Sequence, residues 1–178
     1  MAAGADTAFS ATEAANAVEE LTRAGVSAAD TLDGGLAGSL DLAAAGTIEV
    51  ATAAGIASTA MTQFKLSGDK IPHVADLLAA GAGKAMGGVD DLGMALKQSG
   101  LVASQFGLSI EETVGGLSAF AASGLLGSDA GTSLKSMLLA LANPAGETAK
   151  KMEELGISAY DAQGQFIGLE GLAGVLQE

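Results

Sequence analysis

The residues of this chain that could do chemistry are few, and in each arrangement the spacing argues against it. Gly81-Ala82-Gly83-Lys84-Ala85-Met86-Gly87-Gly88 has the glycines and the lysine of a phosphate-cradling loop. Such a loop needs a glycine five residues ahead of its last glycine, and a Ser or Thr after the lysine to hold magnesium. Those positions are Leu78 and Ala85, and no strand pattern leads into the run, so a dinucleotide reading fails as well. The run is read as a flexible joint between two helices. His73 is the one histidine, which excludes His-based triads and multi-His metal sites; after Pro72 it reads as a surface residue in a helix's first turn. Asp30-Thr31-Leu32-Asp33-Gly34 places Leu32 where a calcium loop needs an oxygen ligand. Asp90-Asp91 and Glu111-Glu112 have the look of catalytic carboxylate pairs, yet both fall in first turns of expected helices, where an acid favours the positive end of the dipole. They are read as caps. No catalytic, cofactor-binding or metal-ligating residue is assigned, no cofactor is expected, and the chain is read as not an enzyme.

Composition narrows the remaining classes. A net charge of −13 from 21 acids and 8 bases argues against a nucleic-acid groove, which needs clustered Lys and Arg. With no cysteine there is no disulfide framework and no thiolate metal site. The chain is 178 residues long, enough for one domain with a true core, but 38 are Ala and 26 Gly, with five Phe, one Tyr and no Trp. Its core must therefore be Leu, Val, Ile and Met between closely spaced helices, which buries little area per side chain. Mean hydropathy is +0.40. The longest stretches without Asp, Glu, Lys or Arg are Thr113–Ser128 and Val50–Phe64, both diluted by Gly, Ser and Thr and shorter than the roughly 20 apolar residues of a bilayer span. Met1-Ala2-Ala3-Gly4-Ala5-Asp6 lacks the basic run of a signal peptide.

The elements follow from caps and periodicity. Ser10 with Glu13 opens a helix whose Ala14, Ala17, Val18, Leu21 and Ala24 form one stripe, with Glu19 and Arg23 paired outside. Gly25 ends it, Ser27 with Asp30 starts the next, and Gly34-Gly35 and Gly38 break that one. Further helices are expected over Leu40–Ala45, from Gly46-Thr47 to Phe64, and from Pro72 to about Gly81–Gly88. Val89–Gly107, with a weak point at Ser99-Gly100, Ser109 to Gly124, Ser128 to Ala142 and Glu147–Leu155 follow, with Asn143-Pro144 as a stop. The four-residue spacings Gly34/Gly38, Gly83/Gly87 and Gly127/Gly131 are read as helix breakers in water. A Gly-aliphatic-Ser step recurs at Ser27, Ser109 and Ser158, with a relative at Ser67, but its spacing drifts; it is read as recurrent capping chemistry rather than a solenoid repeat. Asp161-Ala162-Gln163-Gly164 between Tyr160 and Phe166 predicts a β-hairpin. The expected fold is all-α, a compact multi-helix bundle, with one small β-hairpin near the C-terminus. Residues 1–155 form the bundle, and 156–178 hold the hairpin and the start of a C-terminal helix.

Several of these blocks, in order, resemble the shared domain of phage tail tape measure proteins: Glu13-Ala14-Ala15-Asn16, Gly25-Val26-Ser27-Ala28, Phe106-Gly107-Leu108-Ser109 with Glu111-Glu112, Gly127-Ser128-Asp129-Ala130-Gly131-Thr132, and Asp161-Ala162-Gln163-Gly164. The resemblance implies a structural virion component of the tail tube lumen, made in the host cytoplasm. It implies roles in tail assembly, length determination and genome ejection. The implied partners are other copies of itself, as a homo-oligomer, with tail tube, tail tip or tail assembly chaperone proteins. No specific nucleic acid is implied, and host membrane contact during ejection stays open. The family contributes no catalytic residues. The chain is far too short to measure a tail and is read as a segment of a longer protein. A helical protein-binding module or a membrane-interacting secreted protein is the alternative. Gly25, Gly34-Gly35, Gly87-Gly88, Gly127 and Pro144 interrupt any continuous helix, so a folded-back module is expected rather than an extended rod.

Overall fold

The structure is a computed structural model that describes residues 9–84 and 86–177; Met1–Asp6, Ala85 and Glu178, read above, lie outside these. All its regular elements are helical. They are α1 (Ala11–Arg23), α2 (Ala28–Asp30), α3 (Leu36–Gly46), α4 (Val50–Gln63), α5 (Ile71–Gly83), α6 (Val89–Gln105), α7 (Ile110–Ala122), α8 (Gly127–Ala142), α9 (Gly146–Glu154) and α10 (Gly168–Val175). A π turn over Thr31–Gly35 joins α2 to α3, and a 3-10 turn over Gly68–Lys70 leads into α5.

The stop-and-start signals act as one repeated device. At the ends of α1, α4, α6 and α9 a residue with positive φ (Gly25, Lys65, Gly107, Gly156) is followed by an aliphatic residue. The N–H of that aliphatic residue reaches back to the helix: Val26 to Leu21 O at 3.0 Å, Leu66 to Met61 O at 2.9 Å, Leu108 to Ala103 O at 3.1 Å, Ile157 to Met152 O at 2.8 Å. This satisfies orphan carbonyls and turns the chain while the aliphatic side chain closes over the helix end. A serine follows at once. Ser27 Oγ accepts from Asp30 N at 3.0 Å and Ser109 Oγ from Glu112 N at 3.1 Å. Thr31 and Thr113 then donate to the serine carbonyls at 2.9 and 2.8 Å.

Burial repeats with the caps. Ala14, Ala17, Leu21 and Val26 of the first corner match Ala54, Ala57, Met61 and Leu66 of the second and Leu96, Ser99, Ala103 and Leu108 of the third. All are buried except Leu66, which is half-buried. After each corner the second helix repeats as well: Ile71, Val74, Ala75 and Leu78 of α5 match Ile110, Thr113, Val114 and Leu117 of α7. The packing follows the same order. α1 touches α4, α4 touches α6 and α6 touches α8 in one layer, while α3, α5 and α7 follow one another in a second. Gly93 lies over Ile56 and Gly100 over Gln63; Gly127 lies by Asp91 and Gly131 by Ala95. The first-layer helices α4, α6 and α8 therefore run parallel, as in stacked helical hairpins. The first three corners repeat in structure, with the 3-10 turn Gly68–Lys70 shifting α5 against its corner, while the interval to Ser158 drifts because it holds an additional helix, α9.

Three further expectations are corrected. The β-hairpin is absent: among the described residues there is no strand, only the isolated antiparallel pair Tyr160–Phe166. The turn itself forms, with Asp161 Oδ1 accepting from Gln163 N at 2.9 Å and Gln165 N at 2.8 Å. The corner closing α9 uses Ile157, and α10 begins at Gly168 with φ 79°, so too few residues are left for a ladder to extend. Gly38 and Gly131 lie inside unbroken α3 and α8 and act as close-packing sites: a Cβ on Gly38 would stand 2.9 Å from Pro72 Cα, and one on Gly131 2.2 Å from the Ala95 carbonyl oxygen. Ser99-Gly100 does not interrupt α6, which runs unbroken through both residues with Ser99 Oγ donating to Ala95 O at 2.9 Å.

Candidate functional site

The second and third corners have nearly the same sequence, Gln63-Phe64-Lys65-Leu66-Ser67 and Gln105-Phe106-Gly107-Leu108-Ser109, and the stacking sets them beside each other. Between them opens a cleft of about 550 Å³ lined by Phe64, Leu66, Lys70, His73, Leu108 and Glu111, among others. His73, in the first turn of α5, and Glu111, in the first turn of α7, meet across it at 2.7 Å, each about half exposed. The hydrogen bond from His73, with smaller help from the Glu111 backbone N–H, holds the Glu111 carboxyl below its ordinary value. Ser109 Oγ is engaged by Glu112 N, and the Glu112 carboxylate accepts from Ser109 N at 3.1 Å, so both members of that pair serve the capping box. Chemically the cleft offers a histidine–carboxylate cross-link with a lysine at its rim.

The other residues weighed from the sequence do not gather here. In the Gly81–Gly88 run, Asp91 Oδ2 accepts from Gly88 N at 3.0 Å, and a Cβ on Gly87 would stand 2.7 Å from that same oxygen. A carboxylate thus fills the place at the α6 N-terminus that a phosphate would need. Asp30 is tied to Ser27. Glu111 was read as a second cap beside Glu112; it turns instead to His73, 38 positions away, a pairing that no local spacing signals. The repeated Gln-Phe-x-Leu-Ser pentapeptide is the one signal of this region that was present in the sequence. No group of three or more potential metal ligands occurs among the described residues. No single helix among them is long and apolar enough to cross a membrane; the pair Ala28–Gly46 and Val50–Gln63 passes the same test only jointly, bent by 114°.

The comparisons with known proteins agree on one group. The chain is 39% identical to the tape measure protein of Pneumococcus phage Dp-1 over 93% of its own length, and 31% identical to the probable tape measure protein of Escherichia phage P2 over 90%. It spans only 14% and 20% of those two relatives. No solved structure matches it. The family description "Phage-related minor tail protein" matches residues 1–178, and with relatives this similar the chain belongs to the phage-related minor tail protein family.

Proposed function

We propose that this chain is a structural module of a phage tail tape measure protein, folded rather than drawn out, and that it serves tail assembly and genome delivery more than the measuring of length. The observation that carries this is the two-layer stack of helical hairpins. A continuous helix of this chain would reach roughly 270 Å at about 1.5 Å per residue. A folded domain of the same size has a radius of gyration of about 16 Å and spans about 40 Å. The module therefore adds several-fold less length per residue than a helical ruler. Its partners are copies of the same protein together with tail tube, tail tip or assembly chaperone proteins, and its place is the tail tube lumen. It does no catalysis: its carboxylate pairs act as caps and as a cross-link between hairpins.

An in-frame deletion of the segment from a phage that carries it tests the reading, with tail lengths measured by electron microscopy. The expected outcome is tails shorter by about 40 Å or less together with reduced infectivity. Viable phage whose tails shorten by the full helical length would show that the segment is stretched out and works as ruler.

A further inference from the structure

We infer that the hairpin stack opens as two cooperative blocks, residues 9–83 and 89–142, along a seam between the second hairpin (α4, α5) and the third (α6, α7). The contact between α4 and α6 is made over glycines: a Cβ on Gly93 would lie 2.6 Å from Ile56 Cδ1, and Gln63 covers Gly100. These two glycines add no side chain of their own, so the apolar surface buried there comes from Ile56 and the core residues around it. Beyond it, α5 meets α7 through Gly81, whose near neighbours are Val114 and Ser118.

Polar groups at the seam are badly served. Two buried side-chain polar atoms, Gln63 Oε1 and Ser118 Oγ, lack a hydrogen-bond partner among the described residues, and both lie on this seam. The amide nitrogen of Gln63 reaches the Lys97 carbonyl only at 3.4 Å, near the outer limit of a hydrogen bond. Opening the seam lets water satisfy all three groups, so parting relieves a penalty there that a well-paired interface would not carry. The cleft of about 550 Å³ between Phe64 and Leu108 already brings solvent to one end of the seam.

The neighbouring interfaces are built differently. Gly38 sets α3 directly on the Pro72 backbone, and Gly131 sets α8 on the Ala95 carbonyl with Leu134 and Leu138 fully buried alongside. The seam's ion pair is His73–Glu111, half exposed at 2.7 Å. The other ion pairs of the described residues, Arg23 with Glu19 and Glu20, Lys70 with Asp69 and Lys151 with Glu154, join near neighbours in sequence and hold no hairpin to the next. A half-exposed pair is a weak latch.

Pulling the 178-residue chain by its ends in optical tweezers tests the inference. Two main unfolding steps are expected, releasing roughly 260 Å and roughly 190 Å of contour at about 3.5 Å per residue. A single step, or steps of clearly different size, would overturn it. The chain has no cysteine, so Ile56→Cys with Gly93→Cys places one disulfide across the seam, where a Cβ on Gly93 would stand 2.6 Å from Ile56 Cδ1 and the smaller cysteine relieves that crowding. Oxidation is expected to abolish the separate first step and reduction to restore it. Two separate steps persisting in the oxidised protein, their sum shortened by the roughly 130 Å of contour that the disulfide holds back, would locate the boundary elsewhere. If that variant fails to fold, the step sizes of the unaltered chain still decide.

Discussion

Replacing Gly131 by alanine should destabilise the protein severely, although alanine is the better helix former. The interior of α8 favours Ala over Gly by about 1 kcal/mol. Against this, the new Cβ would stand 2.2 Å from the Ala95 carbonyl oxygen and 2.8 Å from Gln98 Cβ. An ordinary contact is more than 3 Å, and the obstacle is backbone, so α8 must withdraw from α6 by about 1 Å. A gap of that size forfeits a quarter to a half of each dispersion contact it opens. Leu134 and Leu138, both fully buried on this face, and Ala130 would all lose contacts together. Overpacking alone costs about 1–3 kcal/mol, and the loss of two leucine contacts carries the net effect to roughly 3–5 kcal/mol after the propensity gain. Gly115→Ala in α7 and Gly55→Ala in α4 are the matched controls, because a Cβ at either position meets nothing within 4 Å. They should stabilise by about 0.5–1 kcal/mol. Urea denaturation followed by far-ultraviolet circular dichroism measures all three. A Gly131→Ala variant within about 0.5 kcal/mol of the parent would refute the claim that backbone contact holds α8 to α6.

Two residues turn helix ends in the left-handed region without being glycine: Thr47 at φ 52° and Lys65 at φ 54°. Non-glycine residues pay about 1–2 kcal/mol there, and the added chain entropy of glycine returns part of it, so Thr47→Gly and Lys65→Gly should each stabilise by about 0.5–1 kcal/mol; equal or lower stability by urea titration would count against the corner geometry. Glu111 has its carboxyl lowered from the ordinary 4.5 by His73. Its contribution is therefore present above about pH 4.5 and disappears as pH falls through the lower folded value. Glu111→Gln should lower stability at neutral pH by at most about 1 kcal/mol and flatten the acid-side slope; an unchanged slope in a pH series of urea titrations would show that the cross-link contributes nothing.

The helices were legible because their ends are written locally. Ser10 with Glu13, Ser109 with Glu112, and Gly25 and Gly107 before an aliphatic residue each fix a boundary through hydrogen bonds spanning five residues or fewer. The stacking was not legible, for an equally physical reason. The second hairpin inserts the 3-10 turn Gly68–Lys70 between its corner and α5, whereas the third passes from Ser109 straight into α7. These three residues shift the buried positions of α5 against their corner, and α9 lengthens the last interval, so a fixed-period comparison sees drift where the packing sees the same corner and the same four buried sites. The hairpin failed in the opposite direction. Its turn chemistry around Asp161 was right, but turn residues do not make strands, and the neighbouring helices had already claimed the flanks. The cleft is harder still: His73 and Glu111 each look like ordinary first-turn residues, and only the stacking of α5 on α7 makes them a pair.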